Sequence, residues 1–206
     1  MIIGILKEAF PKETRVAATP QTTSAFKKAG FDIWVEQSAG INAGFDDAFF
    51  KQAGAQIKKD KKEILRNADI ILKINAPDKD EAILYKPQTV LIGNLQNLTP
   101  QSFEELKKKL TTCFALEKMP RISRAQPFDI LSSQNNLAGY QAVIKAASLS
   151  QKSFPMMITS AGTLPPIKVL VTGIGVAGLQ AIATAKRLGA KVYAYDIRED
   201  TKEQSQ

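Results

Sequence analysis

The chain contains no histidine. That absence removes the commonest general base, the histidine-assisted nucleophiles and most zinc sites. It has one cysteine, Cys113, inside the apolar stretch Thr112–Leu116. A single thiol forms no intrachain disulfide and no cysteine-based metal site, so no metal is expected. Its apolar neighbours predict a buried structural thiol rather than a nucleophile. Nothing resembles a secretory signal: Met1–Leu6 is a short apolar run that meets charge at Lys7, with no cleavage segment after it. Long apolar runs are also missing. The longest uncharged stretch, Val169–Ala185, has 17 residues and contains Gly173, Gly175, Gly178 and Gln180. That length is marginal for a membrane span, and a strand, a turn and a helix account for it better.

What is present reads as an ordinary folded protein. The 206 residues are 44% hydrophobic and 23% charged, enough for one full domain and part of a second. The net charge is +8. A basic balance can mean nucleic acid, but the lysines fall in two runs, Lys58–Lys62 and Lys107–Lys109, without interleaved aromatics and beside acidic residues. Solvated helix faces are the better reading, and no nucleic-acid partner is expected.

Short apolar runs alternate with amphipathic stretches. Strands are expected at Ile2–Leu6, Asp32–Val35, Ile70–Ile74, Thr89–Leu95 and Thr112–Leu116. Helices are expected at Thr22–Ala29, Asp46–Ala53, Lys58–Asn67 and Pro100–Leu110, with Gly30 and Gly54 just past two of their ends. Strands separated by helices predict βαβ units and a mostly parallel sheet. The fold class is therefore α/β. Residues 1–120 form an N-terminal parallel-sheet domain, residues 121–155 a loop and connecting helix, and residues 156–206 the first βαβ unit of a Rossmann-type domain. The polar stretch Arg121–Gln126 reads as a loop, Phe128–Leu149 as a long helix, and Phe154–Pro166, with three prolines, as a crossing segment.

The segment Ile167–Thr172 is a β-rich apolar run that leads into Gly173-Ile174-Gly175-Val176-Ala177-Gly178; Leu179–Leu188 then has helical spacing, and Lys191–Tyr195 is a strand ending at Asp196. A GxGxxG alone is a weak signal, but strand, glycine turn, helix, strand and acid together form the dinucleotide fingerprint. Gly173 permits the tight turn, Gly175 lets a pyrophosphate approach the backbone, and Gly178 lets the helix pack against the strand. The helix start offers N–H groups and a positive dipole end to phosphate. Asp196, 18 residues after Gly178, is placed to accept hydrogen bonds from ribose hydroxyls. A carboxylate there repels a 2′-phosphate, which predicts NAD rather than NADP. Val176 in the turn, and Ile197 and Arg198 beyond the acid, complete this candidate cofactor-binding set. The sequence stops ten residues after Asp196, whereas a doubly wound nucleotide domain needs several more strands. The expectation is a chain truncated relative to a complete nucleotide domain, with Glu199–Gln206 as the start of a further helix.

Two stretches, MPRISRAQPFDILSSQNNLAGY (Met119–Tyr140) and Met156–Arg198, resemble the NAD(H)-binding alpha subunits of proton-translocating transhydrogenases. The N-terminal GILKEAFPKETRVAATP (Gly4–Pro20) resembles both these and their relatives, the alanine dehydrogenases. The resemblance implies that the loop Arg121–Asp129 reaches over the nicotinamide end of the cofactor. It places Arg121, Gln126, Asp129 and Ser132 near the nicotinamide and its ribose, with Gln126, Arg121 and Asp129 positioning the hydride site. Read from periodicity alone, Asp129 caps the connecting helix and Ser132 and Ser133 lie in its first turn; both roles can coexist. The resemblance further implies a homodimer, with NADP on a partner subunit. Partner subunits would also supply the membrane section that couples hydride transfer to proton movement, with this chain peripheral to the cytoplasmic side of the inner membrane.

One departure separates the two branches. Where alanine dehydrogenases carry a catalytic histidine, this sequence aligns Gln96, although Arg15 and Lys73 match their substrate-binding positions. Interconversion of amino acid and imine would lack its acid/base. Hydride transfer between two nicotinamides moves no proton between the rings and needs only their apposition, with reacting carbons about 3–3.5 Å apart. An absence of histidine is compatible with the second reaction and poorly compatible with the first. A non-catalytic remnant of such a subunit is the alternative.

Overall fold

The computed structural model describes residues 1–120 and 122–198. Its contacts divide the chain into two compact units that meet in sequence at Phe128 and Asp129.

The first unit is a six-stranded parallel sheet of β1 (Ile2–Ile5), β2 (Asp32–Glu36), β3 (Gln56–Lys58), β4 (Ile70–Lys73), β5 (Val90–Gly93) and β6 (Thr112–Ala115), ordered β3-β2-β1-β4-β5-β6. Successive strand residues face opposite sides, and each side has its own core. Ile3, Ile5, Ile33, Val35 and Phe50 pack on one side. Leu6, Ile64, Leu65, Ile71, Leu91 and Leu106 pack on the other. Phe26 and Phe50, from α1 (Pro20–Lys28) and α2 (Asp47–Gln52), belong to the first core. The second takes its helical members from α3 (Lys61–Asn67), α4 (Lys79–Leu84) and α5 (Pro100–Lys108). The chain winds outward from β1 through β2 to β3, then returns to β4 on the other flank. In such sheets ligands bind outside the carboxyl ends of the strands where the order reverses, here between β1 and β4.

Local chemistry sets the helix starts. Thr19, Asp46, Asp60, Asp78 and Thr99 each accept a hydrogen bond from a backbone N–H in the first turn of the helix they precede, satisfying donors that otherwise lack partners. These caps explain two differences from the sequence expectation. The helix expected from Lys58 begins at Lys61 because Asp60 caps it, and Gln56–Lys58 instead pairs with β2. Helix α4, six residues long, is too short to show a periodicity, yet Asp78 starts it with a 2.8 Å bond from the Glu81 N–H.

Cys113 is exposed, which corrects the expected burial. It lies on β6, an edge strand whose residues are largely uncovered; apolar neighbours in sequence bury a side chain only where another element packs over it.

The second unit begins with α6 (Ile130–Leu149), followed by an antiparallel hairpin of β7 (Met157–Thr159) and β8 (Gly162–Leu164). This hairpin occupies the segment expected to cross between elements. Strand β9 (Lys168–Thr172), α7 (Val176–Arg187) and β10 (Lys191–Tyr195) form a βαβ unit in which β9 and β10 pair in parallel. Val143, Phe154 and Ala185 form its core, with Val169 and Val192 packed against them. Helices α6 and α7 touch backbone to backbone: a Cβ on Gly139 would lie 2.1 Å from the Ala177 carbonyl oxygen. That contact explains a glycine inside a 20-residue helix, where it otherwise destabilises.

Candidate functional site

The glycine turn sits between β9 and α7. Gly173 has φ +88°, a left-handed conformation that favours glycine, and its N–H continues the parallel ladder to the Tyr195 carbonyl at 2.7 Å. Gly178 has a packing role: a Cβ there would lie 1.8 Å from the Gly173 carbonyl oxygen. Gly175 differs from both. Its φ is −88°, open to any residue, and a Cβ built on it would meet no atom within 4 Å. Among the described residues, neither backbone conformation nor packing requires glycine there.

Gly175 is also the residue before α7, and among the described residues no side-chain cap hydrogen bond is made there. The other six α-helices among the described residues carry a capping Thr or Asp. The first-turn N–H groups of α7 and its positive dipole end therefore receive no capping bond from a Gly175 side chain. A diphosphate would satisfy both.

Asp196 follows β10 and turns back to this loop. Its Oδ2 accepts a 2.6 Å hydrogen bond from the Ile174 N–H. Oδ1 accepts from the Arg198 N–H at 2.8 Å and from Arg198 Nε at 3.1 Å, and Arg198 Nη2 reaches Oδ2 at 3.1 Å. The side-chain bonds from Arg198, followed by the two backbone N–H groups, hold the Asp196 carboxyl well below the usual carboxylate range. Val176 and Ile197 are exposed beside these groups in the chain.

Asp129, with φ −76°, caps α6. Its Oδ1 accepts from the Ser132 N–H at 2.9 Å, the Ser132 hydroxyl donates to Oδ2 at 2.7 Å, and the Ser133 hydroxyl donates to the Asp129 carbonyl at 2.9 Å. Asp129 and Ser132 belong to the second unit, whereas Gln126 is an exposed residue of the first, in the 3-10 turn Ser123–Phe128 that replaces the expected loop end. Arg121 and Glu199–Gln206 lie outside the described residues.

The positions matched to an amino-acid substrate site occupy the carboxyl edge of the first unit's sheet. Lys73 ends β4 and pairs with Glu81 at 2.7 Å, both side chains 3% exposed. Arg15 pairs with Glu13 through two bonds of 2.8 and 2.7 Å. Gln96 is exposed after β5. A cavity of about 170 Å³ opens between the loops that follow β1 and β4, lined by Glu8, Phe10, Lys73, Asn75 and Glu81 among others. The buried ion pair was not foreseen from sequence: an acid eight residues after a lysine carries no signal until a strand end and a helix face bring them together. Among the described residues, no group of three or more His, Cys, Asp or Glu side chains is arranged to hold a metal, and no helix is long and apolar enough to cross a membrane.

Comparison with known proteins agrees along the whole chain. The family model described as "Alanine dehydrogenase/PNT, N-terminal domain" matches residues 4–138, and its C-terminal counterpart matches residues 142–206. An NAD(P) transhydrogenase subunit alpha protein of Rhodospirillum rubrum is 50% identical over 210 residues, covering 99% of this chain and 55% of that protein. Among solved structures, a transhydrogenase from Sinorhizobium meliloti superposes with a TM-score of 0.93 at 44% identity, covering 99% of this chain and 59% of that one. An L-alanine dehydrogenase superposes with a TM-score of 0.83 at 28% identity, covering 99% and 57%. The chain spans about half the length of the curated relatives it matches.

Proposed function

Given that this chain belongs to the alanine dehydrogenase/PNT family, we propose that it serves as the NAD(H)-binding component of a proton-translocating NAD(P) transhydrogenase, in which hydride passes between NADH and NADP held on a partner subunit. One observation carries the nucleotide reading. Among the described residues, no side chain caps the start of α7 and nothing requires the adjoining Gly175 to lack a side chain, while a carboxylate is fastened to the same turn.

In this reading the α7 N-terminus and the Gly173–Gly178 backbone take the pyrophosphate, and Asp196 takes the ribose hydroxyls and rejects a 2′-phosphate. The nicotinamide supplies the hydride. Gln126, Asp129, Ser132 and Arg121 position its ring and ribose, with an amide and a carboxylate suited to bonding the ring carboxamide. No side chain is assigned to proton transfer, consistent with a sequence without histidine. The closer likeness to transhydrogenases than to the alanine dehydrogenase, together with Gln96 at the histidine position, favours this chemistry over amino-acid oxidation. A homodimer, NADP-binding and membrane subunits as partners, and a place on the cytoplasmic face of the inner membrane belong to the same proposal.

The test is an NADH titration of the 206-residue chain, followed by intrinsic fluorescence and repeated with NADPH. Saturable NADH binding that D196N weakens supports the reading. Equal affinity for NADH and NADPH would overturn the ribose assignment.

A further inference from the structure

The Asp196 carboxylate receives four hydrogen bonds among the described residues: one from the Ile174 N–H, one from the Arg198 N–H and two from the Arg198 guanidinium. A carboxylate offers about four lone-pair positions. Its hydrogen-bonding capacity is therefore filled, and its side chain is only 5% exposed. A ribose diol needs two of those positions.

The four donors differ in mobility. The Ile174 and Arg198 N–H groups are backbone, and the Ile174 bond joins Asp196 to the glycine turn itself. Releasing either would move main chain. The guanidinium is at the end of a long rotatable side chain that is 59% exposed, and its bonds at 3.1 Å are the longest of the four. An ion pair exposed on one side contributes little, because water competes for the exposed partner. Of the groups that donate to Asp196, only the guanidinium can leave by side-chain rotation without moving main chain.

We propose that Arg198 is a displaceable occupant of the ribose subsite, which a vicinal diol must dislodge from Asp196 and which thereby sets the balance between unphosphorylated and 2′-phosphorylated dinucleotides. This rests on the nucleotide reading above. Paired, Arg198 competes with the ribose hydroxyls. Displaced, it stays on the same short segment as Asp196 and offsets part of the negative charge that a 2′-phosphate would meet. Removing the guanidinium should therefore favour NADH and disfavour NADPH together. A residue that simply contacted the nucleotide would lower affinity for at least the first.

The experiment titrates the 206-residue chain, wild type, R198Q, R198K and D196N, with NADH and with NADPH. R198Q is expected to bind NADH about two- to fivefold more tightly, the range that matches loss of an exposed ion pair, and NADPH more weakly than wild type. R198K, which keeps the charge without the two-pronged geometry, should fall between. Weaker or unchanged NADH binding by R198Q, with D196N still impaired, overturns the role of Arg198 and leaves the nucleotide site standing. Wild-type NADH binding that D196N leaves unchanged overturns both. If wild type binds no NADH, binding gained by R198Q supports the competition, and binding by neither overturns both readings.

Discussion

The Asp196 carboxylate and the Ile174 N–H are 2.6 Å apart although the residues are 22 positions apart in the chain. This bond ties the end of β10 to the middle of the glycine turn. It puts the acid and the turn under one constraint, so a change at either should be felt at both.

Replacing Asp196 with Asn keeps an oxygen for Ile174 but removes the charge. Hydrogen bonds to a charged group are stronger than those to a neutral amide. NADH affinity is expected to fall about tenfold or more, the scale of losing a charged acceptor, with relaxed rejection of NADPH, measured by fluorescence titration. Because the folded carboxyl is held far below its ordinary value, the charge persists through neutral pH. Wild-type NADH affinity should therefore show no carboxylate titration around neutrality.

The two glycines of the turn should separate folding from binding. A Cβ at residue 178 would overlap the Gly173 carbonyl, whereas one at residue 175 meets no atom within 4 Å among the described residues. G178A is expected to destabilise the second unit by about 1–3 kcal/mol, as overpacking does. G175A should cost about 1 kcal/mol at most, the loss of a favourable cap residue, yet weaken NADH binding sharply. Thermal melts alongside titrations check both; G175A with undiminished NADH affinity would remove the phosphate assignment.

Gly139 sets two effects against each other. Alanine in a helix interior is favoured over glycine by about 1 kcal/mol. Against this, a Cβ at residue 139 would lie 2.1 Å from the Ala177 oxygen, and overpacking costs about 1–3 kcal/mol. Backbone contact leaves no flexible side chain to yield, so G139A should destabilise, read as a lower urea midpoint.

The Lys73–Glu81 pair should behave as a buried ion pair. Removing Glu81 leaves the buried Lys73 charge without this partner, and removing Lys73 leaves Glu81 only its longer 3.5 Å pair with Lys61; breaking a buried pair costs about 3–5 kcal/mol. K73M and E81L should each be strongly destabilised, and the double variant should recover much of the loss in urea unfolding. Additive losses would mean that the two side chains are not coupled.

Glu13 gives a pH test of the first unit. The Arg15 guanidinium lowers its carboxyl from 4.5 to about 2. A folded value below the unfolded one means that the stabilisation is complete above pH 4.5 and fades as pH falls towards 2. E13Q should therefore be less stable than wild type at neutral pH, and the gap in urea unfolding should close across that window.

Much of the fold was legible in the chain. Apolar runs of four or five residues between amphipathic stretches mark most strands of both units, and the strand–turn–helix–strand order of the fingerprint is local enough to read directly. The stretches that misled were those where a neighbour decides. Gln56–Lys58 is polar, and becomes a strand because the edge of β2 is beside it. Cys113 has the local context of a core thiol but lies on an edge strand. In the site, the glycine spacing and the acid could be found by counting. The Asp196–Arg198 fork could not, because it depends on which way two side chains turn at the end of β10.

By itself, the sequence determined that residues 173–178 turn tightly into a helix, that an acid ends the next strand, and that no histidine is available for proton transfer. Those are properties of neighbouring residues, dictated by side-chain size, backbone freedom and composition. Only the tertiary structure decided that Gly175 faces clear space, that Gly139 admits the backbone of α7, and that Lys73 and Glu81 neutralise one another out of water. The last two join atoms that sequence order leaves apart, and close packing determines which of them come within contact range.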